Sequence, residues 1–221
     1  MVGLIVLGCM FPVAVKEFKS YDRIVSVKGL CEREVAADKV IWPMVFKVVG
    51  NELNPVSREI TDKTAQIISF LKSKGIDSSE ITVATPKISD KEANEYGGND
   101  RHYRYVATCT VTVCSKNVQT VMALMADQST LMNNGIALTS EWDSTPQFKF
   151  EGLNDIKPEM IEQATKNARE VAQKFAMDSD STLGKIKDAS QGTFSIEDRD
   201  SNTPSIKKVR VVTYVSYYLK K

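Results

Sequence analysis

From Ile24 onward the chain alternates. Val25, Val27, Gly29 and Cys31 occupy every second position against Ser26, Lys28, Leu30 and Glu32. After "REVAAD", Val40, Trp42, Met44, Phe46 and Val48 form a second unbroken apolar set. A period of two puts each set on one face of a half-buried strand. The charged link between them predicts the turn end of a β-hairpin. Pro43 falls on the other face of the second strand, which points to an edge or a bulge.

The period then lengthens. "NPVSREITDKTAQIISFLKSKG" predicts a helix with Asn54 as cap, Pro55 at its first position and Gly75 at its end. Val56, Ile60, Ile67 and Leu71 form its stripe. Strands are predicted over 81–88 and 103–114, around a polar loop that carries Gly97-Gly98. A second helix follows over 116–128, capped by Ser115 and striped by Val118, Val121, Met122 and Met125. Strand material recurs at 136–138 and 148–150. The third helix, 158–178, shows Ile161, Ala164, Ala168, Val171, Ala172 and Phe175 on one face, and its alanines allow close approach to a sheet. A strand over 183–194, the polar loop "EDRDSNTPS" and a last strand through Val209, Val211, Val215 and Leu219 close the chain.

Helix, strand, long polar loop and long strand thus occur twice, over 55–114 and 158–220, which suggests an internal duplication. The order predicts an α+β fold, with three helices packed on antiparallel sheets, filling one domain over 24–221.

Ahead of that domain, residues 2–15 are apolar. The run is shorter than a standard spanning helix and contains Pro12. Residues 1–20 read as an uncleaved signal anchor whose start lies upstream. A lipoprotein reading, with Cys9 lipidated, competes with it, but the apolar residues after Cys9 favour the anchor. Lys16, Lys19 and Arg23 follow the run, where the positive-inside rule expects cytoplasm. A basic start upstream would remove that conflict with a periplasmic domain.

Charge narrows the function. With 29 Lys+Arg against 28 Asp+Glu, the chain gives no general electrostatic reason to bind nucleic acid. "DRHYRY" interleaves basic and aromatic residues as a base-stacking surface would, but Tyr103 and Tyr105 share a strand period and are expected to pack on the sheet. The four cysteines, Cys9, Cys31, Cys109 and Cys114, form no C-x-x-C pair, and His102 is the sole histidine, so neither a zinc site nor any cofactor is expected. Cys109 and Cys114 are an odd number apart on one strand and point to opposite faces. No nucleotide-binding, metalloprotease or serine-hydrolase signature occurs. Cys31, with Glu32, Arg33 and Glu34 beside it, could be a redox thiol given a lowered pKa. Adjacent strand residues face opposite ways, however, so the charges read as a solvated hairpin end. No catalytic residue is assigned.

The same stretch carries a likeness. "VSVKGLCEREVAADKVIWPMVFKVVG" resembles the opening motif of the SIMPL domain family, domain of unknown function 541, with Val27, Gly29, Glu34, Val35, Ala37 and Asp38 matching residue by residue. "ATKNAREVAQKFA" resembles the family's Ala-rich helix and "LGKIKDAS" its following strand. Trp42-Pro43 is similar to anchored members from the Bacteroidetes. The resemblance implies a periplasmic or envelope protein; with the absence of catalytic motifs, the edge suggested by Pro43 and the apolar residues 1–20, the expectation is a non-enzymatic protein held to the inner membrane through that segment and acting by self-assembly or by binding a protein partner. Some bacterial members are linked to oxidative-stress defence, and a related periplasmic protein of pathogens assembles into a channel-like ring. An animal member that associates with an innate-immune kinase supplies the name. The resemblance implies a homo-oligomer and brings no catalytic residues. The alternative is a thiol-based stress protein using Cys31, Cys109 or Cys114.

Overall fold

Strands β1 (Ile24–Ala36) and β2 (Lys39–Gly50) follow one another with only Ala37 and Asp38 between them, yet they belong to different sheets. The expected hairpin is absent. The computed structural model describes residues 23–93, 102–139 and 144–220. The residues up to Val35, together with those from Gly152 onward, make one compact unit, and Ala36–Glu151 make a second one inserted into it.

The inserted unit is built on β2. It pairs antiparallel with β5 (Tyr105–Ser115) along its length, from Val40 opposite Ser115 to Gly50 opposite Tyr105. Two short strands, β3 (Ile81–Val83) and β4 (Lys87–Asp90), pair with successive stretches of β5. The single strand expected over 81–88 is interrupted where Pro86 has no N–H to give the ladder. Helix α1 (Leu53–Ser73) covers the sheet with Val56, Ile60, Ile67 and Leu71, the stripe read from the sequence. It begins earlier than expected, at Leu53 with Glu52 as cap, so Pro55 lies inside its first turn. Gly75, at a φ of +89°, closes it in the left-handed conformation that glycine tolerates.

Helix α2 (Val118–Ala126) is capped by Asn117, whose side chain accepts from the Thr120 N–H. Ser115, the expected cap, accepts from the Asn117 N–H instead. Leu124 replaces Met122 in the buried face. A fourth helix, α3 (Ser129–Asn133), was not foreseen. Residues 136–138 contribute a lone bridge, Leu138 to Phe46, rather than a strand, whereas β6 (Gln147–Lys149) pairs with Lys39–Ile41. The alternating set Val40, Trp42, Met44, Phe46 and Val48 is buried throughout.

Pro43 has a local explanation. The Val45 carbonyl accepts from the Thr139 N–H, so alternate residues of β2 turn their backbone groups to this side. No described strand pairs with β2 there between Ile41 and Phe46. Proline thus sits at a ladder position that needs no donor.

The terminal unit has β9 (Ile206–Lys220) at its centre, with β1 on one side. β7 (Thr182–Gln191) and β8 (Ser195–Asp198) pair antiparallel with Thr213–Lys220 and with Lys207–Arg210 of β9, respectively. The expected polar loop "EDRDSNTPS" therefore gives its first two residues, Glu197 and Asp198, to a strand. Helix α4 (Leu153–Asp178) packs on this sheet. Its buried face is Met160, Ala164, Ala168, Ala172 and Ala176, while Val171 and Phe175, expected to be buried, are exposed. The reason lies opposite. A Cβ on Gly29 would stand 1.8 Å from the Ala164 carbonyl oxygen and 2.8 Å from the Ala168 Cβ. Only a glycine against an alanine stripe lets helix and strand approach so closely.

Candidate functional site

The charged stretch of β1 is divided between the two faces of its sheet. On the helix side, the Arg33 guanidinium donates to the Glu159 carboxylate at 2.8 Å. On the opposite side, Glu32 meets Arg210 at 3.5 Å and Glu34 meets Arg199 at 3.7 Å. These residues lie within β1 and not at a hairpin end, so their charges are matched across strands and to the helix.

Cys31 is buried on the helix side. Burial pushes its thiol above the ordinary cysteine range; Arg33 pulls the other way, but Glu159 and Glu32 add to the rise. Thiolate chemistry needs the opposite shift. Cys109 is buried as well, and its sulfur lies 3.7 Å from both the Thr64 hydroxyl and the Ala84 carbonyl oxygen. Cys114 is half-buried. All three are free thiols.

Arg104, in the basic-aromatic stretch, is engaged with Asp90 at 3.0 Å and Glu92 at 3.1 Å and stacks over Tyr105. That guanidinium holds the Asp90 carboxyl below its ordinary range. Tyr105 packs against the core, but Tyr103 is exposed and lies outside the strand. His102 is exposed. Among the described residues no three His, Cys, Asp or Glu side chains gather as a metal site would need.

The residues that carry the likeness have structural work. Gly29 admits α4, and Ala37 is buried. The Asp38 carboxylate accepts from the Glu151 N–H at 2.8 Å and 3.0 Å through its two oxygens. Lys39 adds an ion pair to the Glu151 side chain at 2.8 Å.

Those positions lie inside the stretch that a family pattern matches: SIMPL, a protein of unknown function (DUF541), over residues 25–215. The chain belongs to the SIMPL family. The match runs through both units, so the SIMPL region comprises the terminal unit and its insertion together. No curated protein matches the chain.

Two surfaces of this SIMPL chain could receive another molecule. In the inserted unit, a cleft of about 350 Å³ runs beside the open stretch of β2, between Trp42, Met44, Gln128, Leu138 and Thr139. In the terminal unit, the sheet face turned away from α4 is open. The Ser26–Ser216 hydrogen bond, Lys28 over the Tyr214 ring and the Glu32–Arg210 ion pair set its rows. Ile24, Leu30 and Tyr214 are exposed on it, around a shallow groove of about 240 Å³. The proposed anchor, residues 1–20 with Cys9, lies outside the described residues. No described helix is long and apolar enough to cross a membrane.

Proposed function

We propose that the chain is a non-enzymatic cell-envelope protein, held at the periplasmic side of the inner membrane through residues 1–20 and acting by association with further copies of itself. The observation that carries this reading is the open sheet face of the terminal unit. It combines exposed Ile24, Leu30 and Tyr214 with both signs of charge, Lys28 and Arg210 beside Glu32 and Glu34. Apolar side chains interleaved with charges of both signs suit a face that meets a second copy of itself. A role in envelope or oxidative-stress protection fits such an assembly without requiring a reactive side chain.

The competing thiol reading rests on Cys114, the least buried of the three described cysteines. Light scattering on the detergent-solubilised chain, with and without reductant, separates the two. An assembly that persists in reductant and dissociates on Leu30→Glu or Tyr214→Glu supports the first. A monomer that dimerises only when oxidised supports the second.

A further inference from the structure

Strand β1 is an edge. It pairs with β9 on one side, and among the described residues no strand pairs with it on the other. The Arg23 carbonyl accepts from the Leu219 N–H, so the odd-numbered residues here turn their backbone groups toward β9. The even-numbered ones turn theirs outward. Their side chains, Ile24, Ser26, Lys28, Leu30, Glu32 and Glu34, are all exposed. The strand is 13 residues long and contains no proline. Charges are one guard that such an edge can carry, so the order of Lys28, Glu32 and Glu34 decides what can pair with it.

Helix α4 reaches past this edge. Gly29 lies against Ala164 and Ala168, and the Asn167 side chain donates to the outward Leu30 carbonyl at 2.8 Å. A carbonyl oxygen has a second lone pair, so that bond leaves room for a ladder partner. Val171 and Phe175 follow Asn167 by one and two i,i+4 steps along the same flank. They are 38% and 57% exposed. The helix thus presents an apolar flank beyond the last strand, where a further strand would run.

The order of residues in β1 suits a second β1. Antiparallel, with a two-fold axis at Leu30, Leu30 faces its own copy, Lys28 faces Glu32 and Ser26 faces Glu34. On the helix side Val25 faces Val35. Glu32 already has Arg210 at 3.5 Å and Lys28 already lies over the Tyr214 ring. Each row across the junction then reads arginine, glutamate, lysine, tyrosine. Other registers lose this match. An axis at Lys28 or at Glu32 sets like charges directly opposite each other. An axis at Gly29 faces Lys28 with Leu30, and one at Cys31 faces Leu30 with Glu32.

We infer that β1 pairs edge to edge with β1 of a second copy of this chain, antiparallel about Leu30, and joins two four-stranded sheets into one. The inference rests on the reading of self-association and gives it a second contact, made by backbone groups and separate from the open sheet face. The contact is isologous, so by itself it closes a dimer.

The test is disulfide cross-linking of full chains in detergent, all carrying Cys114→Ser. One chain carries Lys28→Cys and the other Glu32→Cys, so a mixed pair keeps one native Lys28–Glu32 contact. In the proposed register positions 28 and 32 stand about 5.5 Å apart at Cα, within disulfide reach, whereas position 28 stands about 14 Å from its own copy. The mixture is expected to give about tenfold or more cross-linked dimer than either variant alone. In the unsubstituted chain, the outward amides of Lys28, Leu30 and Glu32 are expected to exchange about tenfold more slowly or better once the chain assembles. A mixture with no excess of cross-linked dimer overturns the proposal. So do amides that stay fast in an assembled chain, a result that leaves the open-face reading standing. A chain that is monomeric at every concentration overturns both.

Discussion

Gly29 of β1 lies so close to Ala168 of α4 that an added methyl group would stand 2.8 Å from the Ala168 Cβ and 2.7 Å from its backbone nitrogen. Gly29→Ala forces the helix off the sheet. It is expected to lose about 3 kcal/mol or more, at or beyond the upper end of overpacking costs because the clash is with backbone. The midpoint of urea unfolding checks this. An Ala168→Gly change in the same background is expected to recover little, because the Ala164 carbonyl oxygen remains in the way at 1.8 Å.

Lys207 is buried and its ammonium is paired with Asp198 of β8, whose side chain is 48% exposed. Asp198→Ala leaves the cation without its carboxylate and is expected to cost about 1–2 kcal/mol, less than for a fully enclosed pair because water reaches Asp198. Lys207→Met removes the charge and keeps the stem, and is expected to cost less. The double variant is expected to match Lys207→Met alone. Thermal unfolding of the three variants reads the order directly.

Acid sensitivity follows from the carboxylates. Glu159 is held below its ordinary range by its hydrogen bond from Arg33, and Asp127 by its bond from Lys74. Asp77 is lowered by the Ser79 N–H and hydroxyl, and Asp200 by the Thr203 hydroxyl and Arg199. In each the folded form holds its proton less tightly than the unfolded chain. The unfolded state therefore binds more protons in that window, and stability rises with pH there. The contribution is complete above the ordinary values, 4.5 for Glu and 3.8 for Asp, and is lost as pH falls through the lowered ones. Denaturant midpoints measured from neutral to strongly acidic pH are expected to decline below about pH 4. Glu159→Gln is expected to flatten that limb without steepening the neutral region.

Thiol accessibility gives an independent check on the site. Native alkylation followed by peptide mass analysis is expected to label Cys114 first. Cys31 and Cys109 are expected to react only at the rate of local or global opening, because one is buried with a raised pKa and the other is buried beneath Thr64.

Much of the inserted unit was legible because its strands bury one face against helices. The run from Val40 to Val48 and the stripe from Val56 to Leu71 are periodic in the way burial demands. The β1–β2 hairpin was misread because alternation identifies a strand and says nothing of its neighbour. The partner of β1 is β9, some 180 residues on, with no local turn signal to announce it. Strand β8 was hidden because "SIED" has a single apolar residue, as a short exposed edge strand allows. The face of α4 was rotated toward Val171 and Phe175 by weighting large apolar side chains. The distance across Gly29 selects small ones, which left Phe175 outward. The duties of Gly29 and Asp38 could not be read from composition, since each depends on a partner more than a hundred residues away.

The hydrogen bonds that the Glu151 N–H donates to the Asp38 carboxylate tie the last residue of the inserted unit to its third. A segment whose two ends already touch can be removed from the chain around it, replaced or carried into another host with a very short splice. The molecule is thus a cassette in a frame. Its Asp38 latch marks where the outer chain could be rejoined with the inner one exchanged.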